Sequence, residues 1–159
     1  MFLYEAFPPE LIKIGLEAED KEEVFEELVD LFCQVKKDAA REEILEALRE
    51  REAKMSTGIH TGIALPHGKT QSSLEGVHGI LGVSKKGIDY DALDGRPVYL
   101  VFMLLTPVMD SEGHLRLFKR LAVLFDNPQF YSELLVQKDP RDANGIIKKY
   151  EDIYIAASE

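Results

Sequence analysis

Cysteine is all but missing from this chain. Cys33 stands alone among 159 residues, so no internal disulfide can form, as expected of a protein in a reducing compartment. Long apolar runs are missing as well. The longest, Val98 to Leu105, has eight residues, whereas a membrane helix needs about 20. The first stretch contains Glu5, Pro8, Pro9 and Glu10 and lacks the basic-then-apolar layout of a secretion signal. A cytoplasmic protein with no membrane insertion is expected. Basic charge is also short: 19 Lys and Arg against 29 Asp and Glu leave a net charge of −10. That makes nucleic acid or an anionic membrane a poor partner and a basic protein patch a better one. No repeat, linker or low-complexity tract interrupts the chain, so one domain over residues 1–159 is expected.

What is present reads as interleaved helices and strands. Hydrophobic residues make up 45% and charged residues 30%, an ordinary balance for a chain able to bury a real core. Leu11 to Leu16 is apolar enough for a first strand. Asp20, with Glu23 at capping-box spacing, opens a helix carrying Val24, Phe25, Leu28, Leu31, Phe32 and Val35 on one face and Cys33 at its border. Asp38 is expected to cap a second helix running through about Ala53, with Ile44, Leu45 and Leu48 inward. Val77 to Val83 reads as a strand. Lys86-Gly87 and Asp94-Gly95 read as turns around a short extended piece, Ile88 to Tyr90. Val98 to Leu105 has the pattern of a strand covered on both faces. Helices are expected at Glu112 to Phe125, Pro128 to Val136 and Asp142 to Tyr150. The alternation predicts an α/β domain of two or three layers with a mixed β-sheet.

The segment from Ser56 to Lys69 departs from generic globular sequence. Ile63-Ala64-Leu65 leaves a glycine-rich turn and stops at Pro66, which fixes its own φ and holds Leu65 extended. His67 follows at a stiff strand tip, with Gly68 behind it leaving room for a bulky group. Two other residues break their local pattern. On the second helix Arg51 continues the inward stripe of Ile44, Leu48 and Met55 rather than joining Glu42, Glu46 and Arg49 on the solvent side. Such an arginine either snorkels to water or aims its planar donors at an anion. On the later helix His114 shares a face with Phe118, Leu121 and Phe125, and Ser111 is placed to cap that helix. His114 therefore falls in the first turn, where free N–H groups favour an anion, or else it is a core histidine bonded to a carbonyl. An imidazole with a guanidinium and a second imidazole suits phosphate chemistry, because neutral imidazole is nucleophilic toward phosphorus. His78 lies in a predicted strand and reads as structural.

Taken in order, Arg51-Glu52 at a helix end, the Ser56-Thr57-Gly58-Ile59 turn, the Gly62-Ile63-Ala64-Leu65-Pro66-His67-Gly68-Lys69 run, the Ile88 to Val98 segment and His114-Leu115 opening a helix resemble one family. It is the type-2 IIA domain of the bacterial phosphoenolpyruvate-dependent phosphotransferase system, the fructose, mannitol and nitrogen-regulatory superfamily. The resemblance covers nearly the whole chain and looks closest to the nitrogen-regulatory branch. It implies a mixed β-sheet flanked by helices on both faces and phosphoryl transfer of the transferase class, with no cofactor and no metal. It further implies that His67 accepts a phosphoryl group on Nε2 from a histidine phosphocarrier protein, with Arg51 and His114 stabilising the phosphate. In that branch the partners would be transporters or kinases regulated by phosphorylation state. In a sugar-specific IIA component the phosphoryl group would instead pass to the cysteine of a IIB domain. One position departs from the branch: His60 stands where glycine is common. A metal-dependent hydrolase built on His60, His67 and His114 is a rival of another class, weakened by the absence of ligands at short spacing around His67.

Overall fold

Every residue except Ser72, Ser73, Val108, Asp110 and Glu159 is described in the computed structural model. The chain runs α1 (Leu3–Ala6), β1 (Ile12–Ile14), α2 (Lys21–Val35), α3 (Arg41–Lys54), β2 (Ile63–Ala64), β3 (His67–Lys69), β4 (His78–Ile88), β5 (Val98–Thr106), α4 (Glu112–Phe125), α5 (Pro128–Leu135) and α6 (Pro140–Ser158). The uniformly apolar strand β5 sits inside the sheet, buried at all but one position. It pairs antiparallel with β4 on one edge, and β1 lies parallel to β4 beyond it. The other edge carries β2 and β3, both parallel to β5. The sheet is mixed and five-stranded.

The side-chain period of a strand splits β5 between two cores. Leu100, Phe102 and Leu104 point into a core shared with α1, α4, α5 and α6. Val101, Met103 and Leu105 point into a core shared with α2 and α3. Helices thus cover both faces, the architecture that the family resemblance implies. No helix among the described residues is long and apolar enough to cross a membrane.

Besides α6, which runs from Pro140 to Ser158 rather than stopping at Tyr150, three elements differ from the reading of the sequence, each for a tertiary reason. Asp38 does not cap α3: the N-cap is Ala40, whose side chain cannot bond the helix. Gln71, from the loop after β3, reaches across instead, accepting the Ala40 N–H at 3.1 Å and donating to the Asp38 carbonyl. Lys86-Gly87 is not a turn between two strands. Strand β4 runs straight through it with a register shift between Val83 and Ile88, and Gly87 at φ +88° supplies the left-handed residue that such an irregularity needs. Helix α1 has no strong sequence signal at four residues. The buried Glu151 of α6 accepts the Leu3 and Tyr4 N–H groups at 2.7 and 3.3 Å and pairs with Arg120 at 3.0 Å, so its N-terminus is satisfied from afar. The expected caps elsewhere are present: Asp20 accepts from the Glu23 N–H and Ser111 from the His114 N–H.

Candidate functional site

His67 opens β3 opposite Leu104 of β5, directly after the Leu65-Pro66 interruption that separates β2 from β3. Behind it, Gly68 explains how α3 comes so near. A Cβ there would stand 3.2 Å from the Leu48 nitrogen and 3.4 Å from the Ala47 carbonyl carbon, so a side chain would press the helix backbone back by a few tenths of an ångström. One turn further along α3, Arg51 arrives above the imidazole.

The hydrogen bonds define the state of the ring. Arg51 Nε–H can only donate, and it stands 3.1 Å from His67 Nε2, so Nε2 is the nitrogen with the lone pair. The Leu65 carbonyl can only accept, and it lies 3.0 Å from Nδ1, so the proton sits on Nδ1. Arg51 is itself held by Nη1 donating to the Met55 carbonyl at 2.9 Å. On the other side, α4 contributes His114, 4% exposed, with its ring centroid 6.3 Å from that of His67. Phe118, one turn later, packs edge-on to His67 at 4.8 Å and against His114 at 4.8 Å. The three residues singled out from sequence therefore meet at one place.

In the sequence, Phe118 is legible only as part of a core stripe. Its position four residues after His114 on the same face is the available signal that it also walls the imidazole. The Leu65 and Met55 carbonyls carry no side-chain signal at all. Met55, expected to face inward, is 51% exposed because α3 ends at Lys54 and Met55 is its extended C-cap, off the helical stripe.

The other histidines go elsewhere. His60 packs on Phe125 at 5.3 Å and faces Asp126 at 3.8 Å, at the far end of α4 from His114. His78 packs at a tilt against Phe32 and lies 3.0 Å from the Glu75 carbonyl, as a structural residue would. Cys33 borders the α2 core, and burial pushes its thiol up, away from reactivity. Among the described residues no three His, Cys, Asp or Glu side chains gather as a metal ion would need.

Burial pushes the His67 imidazole below its ordinary value, and nearby Arg51 pushes the same way. The Leu65 carbonyl and the Glu52 carboxylate oppose them without reversing the result. The ring is therefore neutral at neutral pH, with Nε2 unprotonated. The folded protein holds this proton less tightly than the unfolded chain does. Stability from this group is thus full above the ordinary imidazole value near 6.5 and is lost as pH falls toward the lower folded value. An NMR titration should place the His67 midpoint below that of an unfolded control. A midpoint above the control would contradict the burial argument.

A lone-pair nitrogen beside a guanidinium and a second imidazole, at the edge of a sheet, can attack phosphorus and hold the product's charge. Comparison with known proteins gives the family. Residues 5–150 match the family described as "Phosphoenolpyruvate-dependent sugar phosphotransferase system, EIIA 2". The fructose-specific EIIABC component of Bacillus subtilis is 34% identical over 151 residues, covering 95% of this chain but only 24% of that longer protein. A nitrogen regulatory protein of Bradyrhizobium diazoefficiens is 31% identical over 131 residues, covering 82% of this chain and 84% of its own. In three dimensions the chain is similar to nitrogen regulatory protein IIA-Ntr from Neisseria meningitidis, with a TM-score of 0.82, 28% identity, and 91% and 98% of the two chains covered.

Proposed function

The chain belongs to the EIIA 2 family of the phosphoenolpyruvate-dependent sugar phosphotransferase system, and we propose that it takes up a phosphoryl group on His67 and acts on partner proteins through that phosphorylation state. The observation that carries this reading is the ring's double anchoring. With Nδ1–H held by the Leu65 carbonyl, Nε2 is the only nitrogen available to attack. In the transfer, the Nε2 lone pair forms the new N–P bond while the N–P bond of a donor phosphohistidine breaks, its nitrogen keeping the electron pair. Arg51, which covers Nε2 in the resting state, moves its donors onto the phosphoryl oxygens as phosphorus approaches. His114, in the first turn of α4, adds its ring and the helix N-terminus to the same charge. The Nδ1 proton stays where it is throughout.

The donor is a histidine phosphocarrier protein, and the setting is the cytoplasm. Support for a regulator comes from the Thr57-Gly58-Ile59 turn, the Pro66-His67-Gly68-Lys69 run and the Ile88 to Val98 segment, and from near full-length similarity to nitrogen regulatory proteins. Adding nearly two negative charges at His67 to a chain of net charge −10 should repel some partners and recruit basic ones. A second reading has its own observation: the fructose-specific relative is 34% identical. It would make the chain a carrier that delivers the phosphoryl group to the cysteine of a IIB domain. Phosphorylated protein and His67→Ala should retain different sets of transporters or kinases in pull-downs. Rapid transfer from His67 to a IIB cysteine, with sugar phosphate formed, would replace the regulator with the carrier.

A further inference from the structure

Glu52 is a buried carboxylate at the wrong end of a helix. It lies in the last turn of α3, where the helix dipole disfavours negative charge, and it is 8% exposed. Four donors hold it there. Oε2 accepts the Thr57 backbone N–H at 2.7 Å and the Lys21 ammonium at 3.2 Å. Oε1 accepts the Thr57 hydroxyl at 2.6 Å and the Tyr90 hydroxyl at 3.3 Å. Tyr90 also lies 2.8 Å from the Thr57 hydroxyl. Since that hydroxyl gives its own proton to Glu52, the single Tyr90 proton is shared between the Thr57 oxygen and Oε1, and burial keeps Tyr90 protonated. All of these groups donate, so Glu52 is the acceptor throughout.

The clasp from Glu52 to Thr57 closes a short loop that contains Met55, whose carbonyl holds Arg51. On its other side, the Thr57 carbonyl accepts the Leu65 N–H at 3.1 Å, and the Leu65 carbonyl holds Nδ1 of His67. One carboxylate therefore sets two carbonyls, one behind each partner of the Arg51–His67 pair. We propose that Glu52 is the positioning residue of the transfer, fixing through Thr57 the Met55 and Leu65 carbonyls that orient Arg51 and select Nε2 of His67. This rests on the proposed function of His67, and Glu52 touches neither phosphorus nor the imidazole. A simple anchor for a surface loop would need no alignment with both carbonyls, and outer partners of this kind govern the ring orientation of functional histidines.

The test uses unphosphorylated, 15N-labelled full-length protein, in which the ring shifts report the His67 tautomer, together with single-turnover phosphorylation by a phosphorylated histidine phosphocarrier protein. Glu52→Gln is expected to lower the Nδ1–H tautomer fraction and to slow transfer at least tenfold. Glu151→Gln, which loosens a buried carboxylate outside the site, should lower stability without moving either readout. Wild-type ring shifts and rate in Glu52→Gln, with only a lower melting temperature, would overturn the proposal. Should Glu52→Gln fail to fold, Glu52→Asp, which keeps the carboxylate but shortens its reach to the Thr57 N–H, takes its place, and wild-type shifts and rate there would overturn it equally. Failure of the wild-type protein to accept phosphate would sink the reading of His67 instead, and the tautomer measurement would still stand.

Discussion

His67→Ala is expected to abolish phosphoryl uptake altogether. Incubated with phosphoenolpyruvate and the two general phosphotransferase proteins, wild type should gain one acid-labile phosphoryl group and the variant none. The expectation follows from chemistry and placement together. Among the described histidines, His67 alone has a lone-pair nitrogen facing a guanidinium, while His60 lies against Phe125 and Asp126 and His78 against Phe32. The fold should survive, because the half-buried ring contributes an edge contact to Phe118 and hydrogen bonds to the Leu65 carbonyl and to Arg51. A stability change of about 1 kcal/mol is the ordinary cost of such a loss. Intact mass, site mapping and thermal melting check all three points. An acid-labile phosphoryl group persisting in the variant would defeat the assignment.

Arg51→Lys should slow transfer about a hundredfold, equivalent to roughly 2.7 kcal/mol in the barrier. The guanidinium occupies two acceptors at once, His67 Nε2 and the Met55 carbonyl. An ammonium on a shorter stem is a point charge that cannot hold that fork or spread it over equatorial phosphoryl oxygens. Charge is retained and the side chain lies at a helix end, so melting should shift by about 3 °C or less, in keeping with under ~1 kcal/mol. Single-turnover kinetics and a thermal melt separate the outcomes. A large stability loss with a normal rate would make Arg51 a packing residue that snorkels. His114→Gln should slow transfer by about tenfold and cost more stability than Arg51→Lys, because His114 is 4% exposed and packs on Phe118.

Much of this molecule is legible in its sequence because it depends on short-range physics. The eight apolar residues from Val98 to Leu105 have the pattern of a strand hidden on both faces, since water on either side would leave the run exposed. Asp20 and Ser111 announce their helices because a cap needs only its own side chain and an N–H three residues on. Arg51 and His114 stand out because helical periodicity places each on an apolar face where its charge or polarity has no local reason to be. Pro66 and Gly68 mark His67 through backbone constraint alone. Those signals determined the class of fold, the family and the three residues that meet.

Tertiary structure decided what depends on partners distant in the chain. Gln71 replaced Asp38 as the cap of α3, and Glu151 of α6 completed α1, because an orphan N–H is indifferent to how far along the sequence its acceptor lies. Strand β4 ran through Lys86-Gly87 because pairing with β5 outweighed a local turn signal. Which ring nitrogen of His67 keeps its lone pair had no local sign, and Nε2 was implied only through the family resemblance. That choice depends on a carbonyl of Leu65 and a donor of Arg51 converging on opposite sides of one ring, and backbone carbonyls leave no mark in a sequence. Glu52 looks like one more acid in an acidic chain until the fold brings Lys21, Thr57 and Tyr90 around it. The residues of the site were written locally, whereas its geometry came from contacts that only the closed fold can make.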